Sequence, residues 1–149
     1  MKKVLIFGAS GQIGRHLVRK LTKNNYIVTA VTRNLHQKAY VLKTQANAGY
    51  IEIVEANIFD EQKIRNLISK NDICINLIGI LYERGKGSTF KNIHTIFPSL
   101  ISKICEEYKI KQYIQLSALG IDEAIDSDYA KSKLEGEKLV KENFEKTTI

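Results

Sequence analysis

Residues 4–14 read Val4-Leu5-Ile6-Phe7-Gly8-Ala9-Ser10-Gly11-Gln12-Ile13-Gly14, an apolar run followed by three regularly spaced glycines. The run predicts a buried strand, and the periodic apolar residues of Ile13–Leu21 predict a helix. Gly8 lets the chain turn sharply, Gly11 lets the backbone approach a ligand, and Gly14 permits close packing of the helix. The amides at the helix start then face a negative group. We therefore expect a dinucleotide pyrophosphate site made by Gly8, Ser10, Gly11, Gln12, Ile13 and Gly14.

Apolar runs alternate with amphipathic stretches along the rest of the chain. The runs are nearly continuous, which is typical of parallel strands covered on both faces. Strand followed by helix, repeated, predicts an α/β fold with a doubly wound parallel sheet, the Rossmann type, as a single domain over residues 1–149. The predicted strands are Val4–Phe7, Ile27–Val31, Ile51–Val54, Ile73–Ile78 and Tyr113–Leu116, and the predicted helices are Ile13–Leu21, Gln62–Ile68, Thr95–Tyr108 and Ser127–Phe144.

Three segments are less regular. His36–Gly49 is weakly patterned and is interpreted as a short helix within a loop, and Leu81–Ser88, with two glycines, as a mobile loop. Thr147-Thr148-Ile149 resembles the opening of a sixth strand. Since doubly wound nucleotide-binding domains normally continue beyond this point, we expect a chain truncated before a substrate-binding part.

Positive charge is concentrated in the first third of the chain. Residues 1–51 hold nine Lys and Arg and no acid, whereas the whole chain carries a net charge of +7. Such a segment attracts a phosphorylated ligand, an acidic partner or nucleic acid. Nucleic acid is the weakest of these, because the bases are scattered without an arginine-rich run or aromatic platform. No stretch is long enough for a membrane span, no metal site is predicted, and Cys74 and Cys105 are expected to be buried thiols.

The residues after the second predicted strand bear on the choice of cofactor. NAD-binding domains usually place an acid there to hold the ribose 2′-hydroxyl, whereas this chain has Thr32-Arg33-Asn34. A guanidinium binds phosphate in a bidentate manner, and an acid would repel it. Arg33, helped by Arg15, therefore predicts a preference for NADP(H), with NAD(H) as the alternative and a solvated surface arginine as the simpler interpretation.

Two further segments follow predicted strands at the carboxyl edge of the sheet, where ligands bind in such folds. Asn57 and Ile58 are expected to contact the adenine. Leu77 and Gly79 are expected to line the cofactor site, Gly79 by letting the backbone pass close to it. Ordinary turn chemistry explains both segments equally well.

Ser117, Tyr129 and Lys133 form a candidate catalytic group. Tyr129 and Lys133 are four residues apart and share one face of a predicted helix, and Ser117 ends the fifth strand. An ammonium beside a phenol favours the phenolate, which makes the phenol a usable proton donor and acceptor, and a serine can hold a carbonyl. A half-buried tyrosine with a surface lysine is the simpler interpretation. His94 is expected to be structural rather than part of this group.

Four blocks of sequence carry a resemblance to a known family: Gly8–Gly14, Asn76-Leu77-Ile78-Gly79, Ser117-Ala118-Leu119-Gly120 and Tyr129–Glu137. Together they resemble the extended or atypical branch of the short-chain dehydrogenase/reductase superfamily. Within it, the chain is most similar to bacterial relatives of the Rossmann-type accessory subunit of respiratory complex I, alpha-subcomplex subunit nine. Asn57 departs from the pattern, since many extended members have Asp there.

The resemblance implies one of two functions. The first is a bound NADPH with a mainly structural role, with respiratory complex I subunits as partners and a location in the cytoplasm, at the periphery of the inner membrane. The second is an active NADP-dependent reductase or sugar-nucleotide epimerase, in which Tyr129 is the acid/base, Lys133 tunes it and orients the ribose, and Ser117 polarises the carbonyl. A basic nucleic-acid-binding domain is the third alternative, for the acid-free segment alone.

Overall fold

The computed structural model describes residues 1–149 and contains one sheet of six parallel strands. In chain order the elements are β1 (Lys3–Phe7), α1 (Gln12–Lys23), β2 (Ile27–Thr32), α2 (Leu35–Lys43), β3 (Ile51–Glu55), α3 (Glu61–Ser69), β4 (Ile73–Asn76), a π-helical segment (Lys91–Ile96), α4 (Phe97–Glu107), β5 (Gln112–Gln115), α5 (Asp128–Asn143) and β6 (Thr147–Thr148). The strand order is β3-β2-β1-β4-β5-β6. The predicted α/β fold with a doubly wound parallel sheet is confirmed, and its order is that of dinucleotide-binding folds.

The sheet separates two apolar layers, because successive side chains of a strand point to opposite faces. In β1, Leu5 and Phe7 belong to the cluster that α3, α4 and α5 cover, whereas Val4 and Ile6 belong to the cluster under α1 and α2. All four side chains are at most 1% exposed. Burial on both faces explains why β1 is an apolar run rather than an alternating pattern.

Strand β4 ends two residues before the predicted end at Ile78. The reason lies in Asn76, which is fully buried and whose side chain makes two hydrogen bonds. Its Nδ2 donates to Gln115 Oε1 at 2.9 Å, and its Oδ1 accepts from the Ile78 amide at 3.1 Å. The side chain thus replaces a neighbouring strand as the partner of the Ile78 amide, and residues 77–80 leave the sheet as a loop at its carboxyl edge.

A glycine determines the buried face of α5. The apolar Leu134 is 42% exposed, whereas Ser132, Lys133 and Gly136 are buried. Gly136 explains this arrangement, because a Cβ at this position would lie 1.9 Å from the carbonyl oxygen of His94. The helix therefore packs its glycine against the π-helical segment, and this close approach determines which side chains face inward.

The helix after β4 begins earlier than Thr95, with the π-helical turns of Lys91–Ile96. Pro98 follows directly, at the start of α4. A proline has no N–H for the carbonyl four residues earlier, here that of His94, and its ring clashes with that carbonyl in a regular α-helix. A wider π turn relieves such a clash. The displaced His94 carbonyl then points at Gly136.

His94 joins the loop after β4 to α5 through a buried hydrogen-bond network. Its Nε2 accepts from the Ile80 amide at 3.1 Å, and its Nδ1 lies 2.9 Å from Ser132 Oγ. Ser132 Oγ donates in turn to the Tyr129 carbonyl at 2.7 Å. Since a backbone amide can only donate, Nε2 must be unprotonated, and Nδ1 carries the proton of a neutral imidazole. The expectation that His94 is structural agrees with this geometry.

The two cysteines are free and fully buried, as expected. Burial raises the pKa of the Cys74 thiol well above its ordinary value. A thiol that stays protonated is a poor nucleophile. Cys74 and Cys105 therefore act as small apolar residues within the larger core cluster.

His94 predicts how stability depends on pH. Burial and then the charge of Lys133 lower the pKa of His94 to about 4. Because the unfolded chain takes up this proton near its ordinary value of 6.5 and the folded chain does not, stability falls as the pH drops below that value. We expect a loss of about 2 kcal/mol between about pH 7 and about pH 5, measured by urea unfolding.

His94→Gln should remove most of this pH dependence, although the variant starts from a lower stability. His16→Gln is the matched control, because His16 is exposed on α1 and should leave the dependence unchanged. A slope that persists in His94→Gln would contradict the assignment.

Candidate cofactor site

A cleft of about 550 Å³ opens at the carboxyl edge of the sheet, between the ends of β1 and β4. These two strands are neighbours in the sheet. After β1 the chain continues to β2 on one side, and after β4 it continues to β5 on the other side. Ligands bind at such a reversal of strand order in open α/β sheets. The cleft therefore lies where the fold predicts a dinucleotide.

The glycine turn forms one wall of the cleft by close backbone contacts. Gly8 has a φ of +79°, and a Cβ there would lie 3.2 Å from the Ile78 nitrogen. A Cβ at Gly14 would lie 2.4 Å from the Gly8 oxygen, so α1 packs directly on the turn. Gly14 thus brings the helix N-terminus against the turn.

Most of the predicted cofactor residues lie on the walls of this cleft: Gly8, Ser10, Gly11, Arg33, Asn57, Ile58, Leu77 and Gly79. Gln12, Ile13 and Gly14 do not line it. Gln12 and Ile13 are exposed on the first turn of α1, and Gly14 is buried beneath the turn. Arg15, proposed as a helper of Arg33, is absent from the walls as well.

Arg33 follows β2 directly and is exposed at one end of the cleft. It makes no ion pair in the structure, so its guanidinium is available to a ligand. The next residue, Asn34, caps the N-terminus of α2, since its Oδ1 accepts from the Gln37 amide at 3.1 Å. The local sequence thus holds a free cation beside a capped helix N-terminus.

Glu55 is a cleft residue that the sequence pattern did not reveal. It ends β3, pairs in register with Thr32 and lines the cleft. Its Oε2 accepts from the Leu35 amide at 2.7 Å. The acid-free first third of the sequence therefore has an acid beside it in space. Parallel pairing of the second and third strands was the signal that could have located this residue, because parallel strands end at the same edge.

The side of the cleft after β3 is closed by a turn and a loop. Asn57 Oδ1 accepts from the Phe59 amide at 2.9 Å, so half of the Asn57 side chain serves the turn rather than a ligand. Phe59 is 59% exposed on the cleft wall and lies under Gly87 of the loop 81–88. Phe59, Gly87 and Ser88 were not predicted, because neither loop has a periodic pattern.

Ser117, Tyr129 and Lys133 lie beyond the cleft rather than in its walls. The Lys133 ammonium is 5.5 Å from the centroid of the Tyr129 ring. Ser117 Oγ is buried without a hydrogen-bond partner and shares a separate cavity of about 10 Å³ with Lys133. Gly79 connects the two regions, since a Cβ there would lie 3.7 Å from Lys133 Nζ. The fold thus brings Lys133 near both Tyr129 and Ser117.

Lys133 is a buried cation without a partner. It is 8% exposed and makes no hydrogen bond or ion pair. Burial lowers its pKa, and the charge of Glu137 acts in the opposite direction. A buried ammonium is unfavourable unless it finds acceptors. The arrangement is suited to a ligand that offers oxygen atoms beside Gly79.

Comparison with known proteins agrees with this geometry. The chain is 28% identical over 144 residues to the mitochondrial 40 kDa subunit of NADH-ubiquinone oxidoreductase from Neurospora crassa. It is 31% identical over 144 residues to the mitochondrial NADH dehydrogenase [ubiquinone] 1 alpha subcomplex subunit 9 of Arabidopsis thaliana. Each match covers 97% of this chain but only 38% and 36% of the respective relative. The chain thus spans little more than a third of these proteins.

Solved structures share the fold at lower identity. The enzyme WbmH from Bordetella bronchiseptica, solved with NAD+, superposes with a TM-score of 0.77 at 19% identity, covering 96% of this chain and 53% of that one. A wide-type short-chain dehydrogenase/reductase from Veillonella parvula, solved with NADP, gives 0.74 at 16% identity, covering 96% and 65%. A family model described as NAD(P)H-binding matches residues 8–147, and the chain accordingly belongs to that NAD(P)H-binding family.

Proposed function

We propose that this chain is the NADP(H)-binding domain of an accessory subunit or assembly factor of the complex I type, and that it holds NADPH without turning it over. The observation that carries the cofactor preference is the exposed, unpaired Arg33 at the cleft end of β2. A guanidinium at this position can bind a 2′-phosphate through two charged hydrogen bonds. An NADPH bound along the cleft would have its pyrophosphate at the glycine turn and its nicotinamide near Gly79.

The Ser-Tyr-Lys group does not surround a substrate-sized space in this structure, which supports the structural proposal. Ser117 and Lys133 line a cavity of about 10 Å³, and the Lys133 ammonium lies 5.5 Å from the centroid of the Tyr129 ring. A proton-transferring group needs its phenol oxygen, serine hydroxyl and substrate carbonyl within hydrogen-bond reach. Lys133 can still hold the nicotinamide ribose, for which its unpaired ammonium is suited.

The partner proposal rests on the two relatives, which are named as subunits of NADH-ubiquinone oxidoreductase and of NADH dehydrogenase [ubiquinone] and match nearly the whole of this chain. We propose respiratory-chain subunits as partners and a cytoplasmic, peripheral location at the inner membrane. None of the helices combines the length and the apolar character that crossing a membrane requires.

An active reductase or sugar-nucleotide epimerase is the second candidate. It is favoured by the unpaired Lys133 and the unpartnered Ser117 hydroxyl, two residues that line one small cavity. Movement of Ser117 toward the cleft when a substrate binds would assemble a Ser-Tyr-Lys site.

Replacing the cation at the cleft end of β2 tests the cofactor preference. We expect Arg33→Ala to weaken NADPH binding about 10- to 100-fold, the range for lost charged hydrogen bonds, and NADH binding less than about threefold. Fluorescence titration of both nucleotides measures this. Lys38→Ala is the control, because Lys38 is exposed on α2 away from the cleft walls. Equal affinities of the unmodified protein for NADH and NADPH would contradict the proposal.

Removing the buried ammonium should separate stability from binding. We expect Lys133→Met to raise the melting temperature of the nucleotide-free protein by about 3 °C near neutral pH, as for about 1 kcal/mol, and to weaken NADPH binding. The pKa of Lys133 in the folded protein lies below its ordinary value of 10.5, so the unfolded chain binds this proton more tightly. The stability of the unmodified protein therefore rises as the pH increases toward that value. The advantage of the variant should therefore shrink in alkali.

The matched control for this variant is Lys131→Met, because Lys131 is exposed two residues earlier on α5. It should change neither the melting temperature nor the affinity. An unchanged NADPH affinity in Lys133→Met would show that the ammonium does not serve the cofactor.

Turnover distinguishes the two candidate functions. The structural proposal expects NADPH bound to the full-length protein to stay reduced in the presence of a panel of carbonyl substrates, and the protein to co-purify with respiratory-chain subunits. The enzyme would be established instead if NADPH is oxidised and Tyr129→Phe abolishes this oxidation. The control variant Tyr108→Phe, at the exposed end of α4, should leave the oxidation unchanged.

A further inference from the structure

Glu55 places a carboxylate at the same end of the cleft as Arg33. The two residues reach it from neighbouring strands, since Glu55 pairs in register with Thr32, the residue before Arg33. Both line the cleft, yet they form no ion pair with each other. A ligand group that enters between β2 and β3 would therefore meet one positive and one negative side chain.

The carboxylate also occupies a hydrogen-bond donor that an anionic ligand would use. Its Oε2 accepts at 2.7 Å from the amide of Leu35, the first residue of α2. Amides at a helix N-terminus, at the positive end of the helix dipole, favour negative groups. Another amide of this turn, that of Gln37, is already bonded to the Asn34 side chain. Glu55 thus holds a donor that a phosphate beside Arg33 would need.

We infer that Glu55 is a specificity-determining residue that counteracts Arg33 at the adenosine ribose; this inference rests on the proposed binding of NADP(H). A 2′-phosphate is repelled by the carboxylate and finds the Leu35 amide occupied. A 2′-hydroxyl is uncharged and is not repelled by the carboxylate, does not require the Leu35 amide, and can itself donate a hydrogen bond to a carboxylate. The selectivity for NADPH is therefore the difference between an attractive Arg33 and a repulsive Glu55, and NADH keeps access to the site.

Glu55→Gln tests this inference with little change of shape. The glutamine keeps an oxygen that can accept from the Leu35 amide but loses the charge. We expect NADPH to bind about tenfold more tightly than to the unmodified protein, the size of a like-charge contact near water, and NADH to bind equally or more weakly. The gain should shrink at high salt, because ions screen exposed charges.

Glu52→Gln is the matched control. Glu52 is exposed on the same strand and pairs in register with Thr29, away from the cleft. Its substitution should leave both dissociation constants unchanged. Glu55→Gln should also tighten the binding of adenosine 2′,5′-bisphosphate but leave the binding of AMP unchanged. This difference would locate the effect at the 2′ position.

Failure of this inference and failure of the proposed NADP(H) binding give different results. The cofactor proposal fails if the unmodified protein does not prefer NADPH or if Arg33→Ala changes nothing. The inference fails if Glu55→Gln leaves the ratio of the NADPH and NADH dissociation constants within about twofold of the unmodified value. It also fails if NADPH binding weakens, which would mean that the carboxylate positions Arg33 instead of opposing it. If neither NADPH nor NADH binds, both the cofactor proposal and this inference are overturned.

Discussion

The contact between the first turn of α1 and the glycine turn is the constraint on which the cleft depends. A side chain at Gly14 would overlap the carbonyls of Gly8 and Ala9, so only glycine lets the helix begin directly on the turn. Gly8 is pressed in the same way against the backbone of Leu77 and Ile78. The ends of β1, α1 and β4 are therefore held together by backbone rather than by side chains. The wall of the cleft on this side follows from these contacts.

A second glycine contact fixes the region beyond the cleft. Gly136 brings α5 against the His94 carbonyl, which Pro98 leaves without an α-helical partner. The same π-helical turn directs the imidazole of His94 toward the Ile80 amide and Ser132. Tyr129 and Lys133 are positioned by this packing, since they lie on the turns of α5 that flank Ser132. The placement of Tyr129 and Lys133 thus depends on a neutral histidine and a proline.

The sequence alone predicted the fold because its strongest signals are local. Continuous apolar strands, helical periodicity and the glycine spacing each act within a few residues, and all three indicate a doubly wound sheet. The positions that were missed depend on contacts between distant segments. Glu55 reaches the Arg33 site through strand pairing, and Gly136 turns the face of α5 inward through a contact with residue 94. Charge counted along the chain could not show that an acid adjoins the acid-free segment.

The two ends of the site share one electrostatic arrangement. Arg33 and Lys133 are both cations without an ion pair, and each has a glutamate near it, Glu55 on the cleft wall and Glu137 one turn further along α5. A cation that was fully paired would have to break that pair before it could bind a ligand, whereas a cation with no acid nearby would bind any phosphate. Incomplete neutralisation lies between these cases. In the proposed NADP(H) complex it would leave both cations free to bind while limiting the affinity for charge alone. Recognition would then depend on a ligand with oxygen atoms at both ends and a pyrophosphate at the glycine turn.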